Sequence, residues 1–124
     1  MKILSHTMIA LAGLAVVLSA CAKRTYKEVP DEAVGVWKTP AEKYADRFFE
    51  LKKDSVTFGI GDGGSETYAV LKTEVQPEGG DNLYCVYYVG NDGDIQQWSF
   101  YLPAGGQGSL RLKSQKSILW TKHS

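Results

Sequence analysis

From Ala33 to the end of the chain, apolar runs of about five to nine residues alternate with turn-forming residues at close spacing, the pattern of an antiparallel meander. It predicts eight strands, over residues 34–38, 48–53, 56–61, 67–75, 83–89, 95–102, 109–113 and 117–121. The connections include Lys53-Asp54-Ser55, Gly61-Asp62-Gly63-Gly64, Asn91-Asp92-Gly93 and a glycine-rich 104–108 stretch, all residues that favour local turns or tolerate positive φ. Within strands the alternation places Val56, Phe58 and Ile60 on one face, and Trp98, Phe100 and Leu102 on another. Residues 40–53 are ambiguous. Ala41, Tyr44, Ala45, Phe48 and Leu51 fall at helical spacing after Thr39-Pro40, whereas Phe49 and Leu51 alternate with Glu50 and Lys52. The reading adopted is a helical turn over 40–45 followed by a strand, with a continuous helix to Lys52 as the alternative. Eight antiparallel strands have two edges to protect, and closing the sheet into a barrel removes both.

The pattern before Ala33 is different. The first twenty residues hold 14 of the chain's 54 residues of the AVILMFWYC class but none of its 14 aromatics, so they do not belong to the same core. Lys2 precedes an apolar run over residues 8–18, about 11 residues and too short to cross a bilayer, which needs roughly 20. This is a targeting leader. Its end, Leu18-Ser19-Ala20-Cys21, resembles the bacterial lipobox, which implies cleavage before Cys21 and attachment of diacylglycerol to its thiol. An ordinary secretory signal cut after Ala20, leaving Cys21 a plain thiol, is the competing reading. Two or three acyl chains hold a protein stably to a membrane without spanning it. The resemblance further implies outer-membrane sorting toward the periplasm, because Ala22 stands where an inner-membrane retention signal has Asp. The expected organisation is thus a signal peptide over 1–20, the lipidated cysteine and a tether over 21–32, and a β domain over 33–124. Fully extended, that tether reaches up to roughly 40 Å. Lys23, Arg24 and Lys27 in it are expected either to meet anionic headgroups or to be simply solvated.

Gly35-Val36-Trp37 at the head of the first predicted strand resembles the Gly-X-Trp signature of lipocalins and related calycins. The resemblance implies that Trp37 plugs the closed end of a lipocalin-like barrel and that a basic side chain from the last strands packs across its ring, with a cation–π component. Arg111 is the first choice for that residue, with Lys113 and Lys122 as alternatives. The closing segments, 108–113 and 118–122, are similar to the ends of small bacterial lipoproteins with such a barrel, a group without a settled activity.

Charge and chemistry narrow the function classes. Lysines and arginines number 14 and acids 14, so no basic excess calls for nucleic acid. The histidines are His6, in the leader, and His123, next to the chain end, which leaves no base for a Ser or Cys nucleophile. No CxxC, paired His or Glu-x-x-His occurs, so no metal and no cofactor is expected. Gly59-Ile60-Gly61-Asp62-Gly63-Gly64 spells G-x-G-x-x-G, but the following Ser65-Glu66-Thr67-Tyr68-Ala69-Val70 reads as a strand rather than the helix a dinucleotide site needs, and a hairpin loop is expected. Asn91-Asp92-Gly93-Asp94 lacks the later acidic ligand of an EF-hand and reads as a turn. With Cys21 acylated, Cys85 has no intrachain partner and is expected to be a small buried hydrophobe.

The aromatics carry the functional expectation. Tyr84, Tyr87, Trp98, Phe100 and Trp120 could line a barrel that binds a small apolar ligand, or could simply fill the core. Outward tyrosines offer the second expectation, a contact surface for an envelope protein or an enzyme inhibitor of the kind seen in small lysozyme-inhibitor lipoproteins. A non-catalytic, membrane-anchored binding module is the reading carried forward.

Overall fold

The computed structural model describes residues 23–105 and 108–123; the expected leader, the lipobox-like segment and Cys21 lie outside them. Nine strands form one antiparallel sheet: β1 (Arg24–Tyr26), β2 (Gly35–Lys38), β3 (Arg47–Leu51), β4 (Ser55–Gly61), β5 (Gly64–Glu78), β6 (Asp81–Val89), β7 (Ile95–Pro103), β8 (Ser109–Leu112) and β9 (Gln115–Lys122). Strands β2 to β9 pair each with the next, and β2 pairs with β9, so the eight expected strands close into an up-and-down barrel. The closing seam is short, with Trp37 opposite Lys122 and Lys38 opposite Thr121. Residues 40–53 resolve as a 3-10 turn over Glu42–Tyr44 followed by β3, the turn-plus-strand reading adopted from the sequence. Phe49 and Leu51 are buried on β3, whereas a continuous helix would have broken its pairing with both β2 and β4.

Among the described residues the register shifts at three places, in β4, in β5 and between Arg111 and Leu112 of β8, and the first two bear on the inner face. In β5 the register shifts between Val70 and Lys72, so Leu71 is extruded and exposed while Val70, Thr73 and Val75 all stay on the inner face. Sequence alternation alone would have turned Thr73 and Val75 outward. In β4 the shift lies between Gly59 and Gly61, beside the β4–β5 turn, whose two central residues Asp62 and Gly63 have φ of 54° and 76°. Two successive positive φ values are the geometry of a tight hairpin turn, so the glycine-rich run is a hairpin rather than a phosphate cradle.

The segment expected to be a free tether is structured from Lys23 onward. β1 lies along the second half of β5, which extends past the end of β4 and offers an unoccupied edge there. The chain then crosses one end of the barrel: the Val29 amide donates to the Lys53 carbonyl, and a 3-10 turn covers Asp31–Ala33. Val29 and Ala33, only 2% and 0% exposed, are core residues. Apolar side chains at these two positions, spaced to reach the barrel end, are the reason this stretch does not stay extended in solvent.

Candidate functional site

The two ends of the barrel differ. At the end crossed by residues 29–33, Trp37 is 0% exposed and its indole N–H donates to the Ala33 carbonyl at 3.0 Å. Gly35, which leads into it, has φ 152°, a conformation that side chains rarely adopt and that explains glycine at this position. The cation over the Trp37 ring is Lys122, 5.3 Å from the centroid, and not Arg111. Register decides this. Lys122 is the cross-strand partner of Trp37, whereas Arg111 sits on β8 opposite Leu119 and Tyr101 and is exposed. Lys122 Nζ also donates to the Glu32 carbonyl at 3.1 Å, and Tyr84 donates to the Glu32 carboxylate at 2.5 Å. Burial, followed by that carboxylate, raises the Tyr84 phenol well above its ordinary range. This end is sealed.

Inside, aromatic rings stack up toward the other end. Phe49 touches Trp37, Trp98 and Trp120, at centroid distances of 6.3, 4.7 and 5.0 Å. Above it Phe58 meets Trp98 edge-on at 5.3 Å and Tyr88 at 5.7 Å, and Tyr88 meets Tyr68 at 5.1 Å. Phe58, Tyr68, Tyr88 and Trp98 are only partly buried. The inner face of β4 shows the gradient directly: Val56 is fully buried, Phe58 intermediate and Ile60 50% exposed. These residues share a face as expected, but the face climbs out of the core.

That end opens into a cavity of about 380 Å³. Phe49, Phe58, Trp98, Leu112 and Trp120 give it apolar walls, and Tyr44, Arg47 and Gln115 supply polar groups. The Gln115 side-chain amide donates to the Tyr44 hydroxyl at 2.6 Å, which ties the start of β9 to the 3-10 turn and holds Tyr44 against Trp120. Trp120 is 4% exposed, yet its indole N–H has no acceptor among the described residues. Such a donor ordinarily costs about 1–3 kcal/mol. Arg47 is exposed and has no ion-pair partner among the described residues. This combination of aromatic walls and a few polar groups is the usual make-up of a small-molecule pocket.

The five aromatics singled out from sequence therefore separate. Trp98 and Trp120 line the mouth. Tyr84 and Phe100 stack at 5.2 Å in the sealed half, 2% and 0% exposed. Tyr87 faces outward, where its hydroxyl donates to Glu74 at 2.7 Å; that bond first, and Lys23 and Lys72 nearby, hold the Glu74 carboxyl below its ordinary value. Phe49, Phe58 and Tyr44 join Trp98 and Trp120 at the mouth. Alternation puts Phe58 on one face with Val56, but its height along the barrel is encoded by no local pattern.

Cys85 is buried as expected, but on the outer face of β6, where it borders a shallow groove of about 220 Å³ with Leu83, Tyr87 and Ser99. No cluster of three or more potential metal ligands occurs among the described residues. Comparison with known proteins returns no matching family model, curated protein or solved structure. The antiparallel eight-stranded barrel is compatible with a lipocalin-like fold on its architecture alone.

Proposed function

We propose that this is a bacterial lipoprotein, anchored through Cys21 in the cell envelope and facing the periplasm from the outer membrane, whose lipocalin-like barrel binds a small apolar, ring-bearing ligand without catalysis. The observation that carries the binding reading is the asymmetry of the barrel: sealed and fully packed around Trp37 at one end, open and walled by aromatic rings at the other. A planar ligand would stack on Phe58 and Trp98, where offset and edge-on contacts between rings contribute about 0.5–1.5 kcal/mol each beyond burial. Arg47 at the rim favours a ligand that carries an acceptor or a negative charge. The depth of the site is modest, because Phe49 and Trp120 already fill the level beneath, so the ligand is small or only partly enclosed.

The test is titration with an aromatic sulfonate dye such as anilinonaphthalene sulfonate, together with native mass spectrometry of protein isolated without denaturation. Saturable one-to-one binding that quenches tryptophan emission, weakened about tenfold by Phe58→Ala, is expected; the one lost ring contact, at about 1.4 kcal/mol, corresponds to that factor. Dye binding that is absent or untouched by Phe58→Ala, with a bare protein mass, would turn the reading to envelope protein contact instead. Anchoring is tested separately. Cys21→Ser should move the protein from the membrane to the soluble fraction, and a wild-type chain without acyl mass would refute the lipoprotein reading.

A further inference from the structure

We infer that the barrel is held with its sealed end against the bilayer and its aromatic mouth pointing away from it, so that the site exchanges ligand with the aqueous compartment and not with the membrane. This orientation rests on the lipid attachment at Cys21 proposed above. Its geometric basis is β1.

Arg24, Thr25 and Tyr26 pair with Val75, Glu74 and Thr73, so β1 runs antiparallel to β5. Traced backward toward Lys23, the chain heads for the β5–β6 hairpin at Glu78 and Asp81. That hairpin, the β3–β4 turn and the Val29–Ala33 crossing all belong to the sealed end. The connections around the mouth, 39–46, 62–63, 90–94 and 113–114, belong to the other. Only two peptide steps separate Cys21 from Lys23, a reach of about 7–8 Å. A tether able to span roughly 40 Å would have let the domain tumble, but β1 and residues 29–33 use that length on the barrel itself. The Lys23 ammonium, 3.5 Å from the Glu74 carboxylate, fastens the start of the ladder.

The nine residues of β6 at ordinary rise and barrel tilt put the two ends roughly 20 Å apart, so the mouth stands clear of the headgroups. Charge does not set the orientation. The sealed end mixes Lys27 and Lys53 with Glu28, Asp31, Glu78 and Asp81, and favours no particular headgroup. The covalent anchor and the short reach do the orienting.

The experiment uses the full lipidated chain in phosphatidylcholine vesicles that contain a phospholipid with a nitroxide on its headgroup. A fluorophore is placed at Lys53→Cys, in the β3–β4 turn, or at Asp46→Cys, in the connection at the mouth, each in a Cys85→Ser background. Quenching several-fold stronger at position 53 than at position 46 is expected. Equal quenching, or stronger quenching at position 46, would overturn the orientation. Inserting about ten Gly/Ser residues between Cys21 and Lys23 adds roughly 17 Å of flexible reach and should abolish the difference. Hydrogen exchange on the unlabelled wild-type chain serves as a second readout: vesicle binding should protect amides 52–54 and 79–81 and leave 90–94 unchanged, and the reverse pattern counts against the proposal. A chain that carries acyl groups and sediments with vesicles but shows no asymmetry refutes the orientation alone. One that carries no acyl group refutes the lipid anchor as well.

Discussion

At the scale of single residues, two contacts decide how the sealed end is closed. Lys122 reaches over Trp37 and onto the Glu32 carbonyl, and a cation on an aromatic face plus one hydrogen bond contributes about 1 kcal/mol at a partly exposed site. Lys122→Ala should therefore lower the unfolding free energy by about that amount, read as a lower urea midpoint at unchanged slope, whereas Arg111→Ala should stay within about 0.5 kcal/mol of wild type. Tyr84 gives a pH dependence. Its phenol is raised above its ordinary value of 10.0 by burial and by Glu32, so folding favours the protonated form. Its contribution is fully present below pH 10.0 and is lost as pH rises through the shifted value. Tyr84→Phe should cost about 1–2 kcal/mol at neutral pH and show a shallower alkaline loss of stability, measured by denaturation between neutral and strongly alkaline pH.

At the scale of elements, the strands follow from alternation, but their use in the barrel depends on exceptions to it. Gly59 shows why. A Cβ added there would lie 2.3 Å from the Phe48 ring, which rests on the bare glycine backbone across the β3–β4 pair. Gly59→Ala should displace that ring at the rim and destabilise the protein by about 1–3 kcal/mol, with loss of dye binding if Phe48 then intrudes on the mouth. The bulge at Leu71 has the same character: one extra residue changes which later side chains face inward. β1 and residues 29–32 of the crossing fall in the stretch that the sequence pattern reads as tether. They contain too few apolar residues to announce a strand, and they are ordered by an edge and a core supplied by distant residues. Val29→Ala should cost about 1–3 kcal/mol by creating a small cavity, while a substitution in a free tether would cost nothing; thermal denaturation distinguishes the two.

At the scale of the whole molecule, a domain of this size has a thin core, and nearly all of its large side chains are needed to fill the sealed half and the middle. What remains open is a rim, not a deep calyx. Under the proposed attachment at Cys21 the same smallness would couple anchor and site, since residues 24–33 lie on the barrel and leave little length for a leash.

By itself the sequence determined what short-range chemistry controls: eight alternating strands, their turns and the glycine two residues before Trp37. These depend on neighbours within a few residues. Tertiary structure alone decided which cation covers Trp37, which aromatics stand at the mouth, where bulges reverse the faces and that the expected tether is part of the barrel. Each of those depends on register between strands far apart in the chain, and on height along a barrel axis that exists only once β2 and β9 have met.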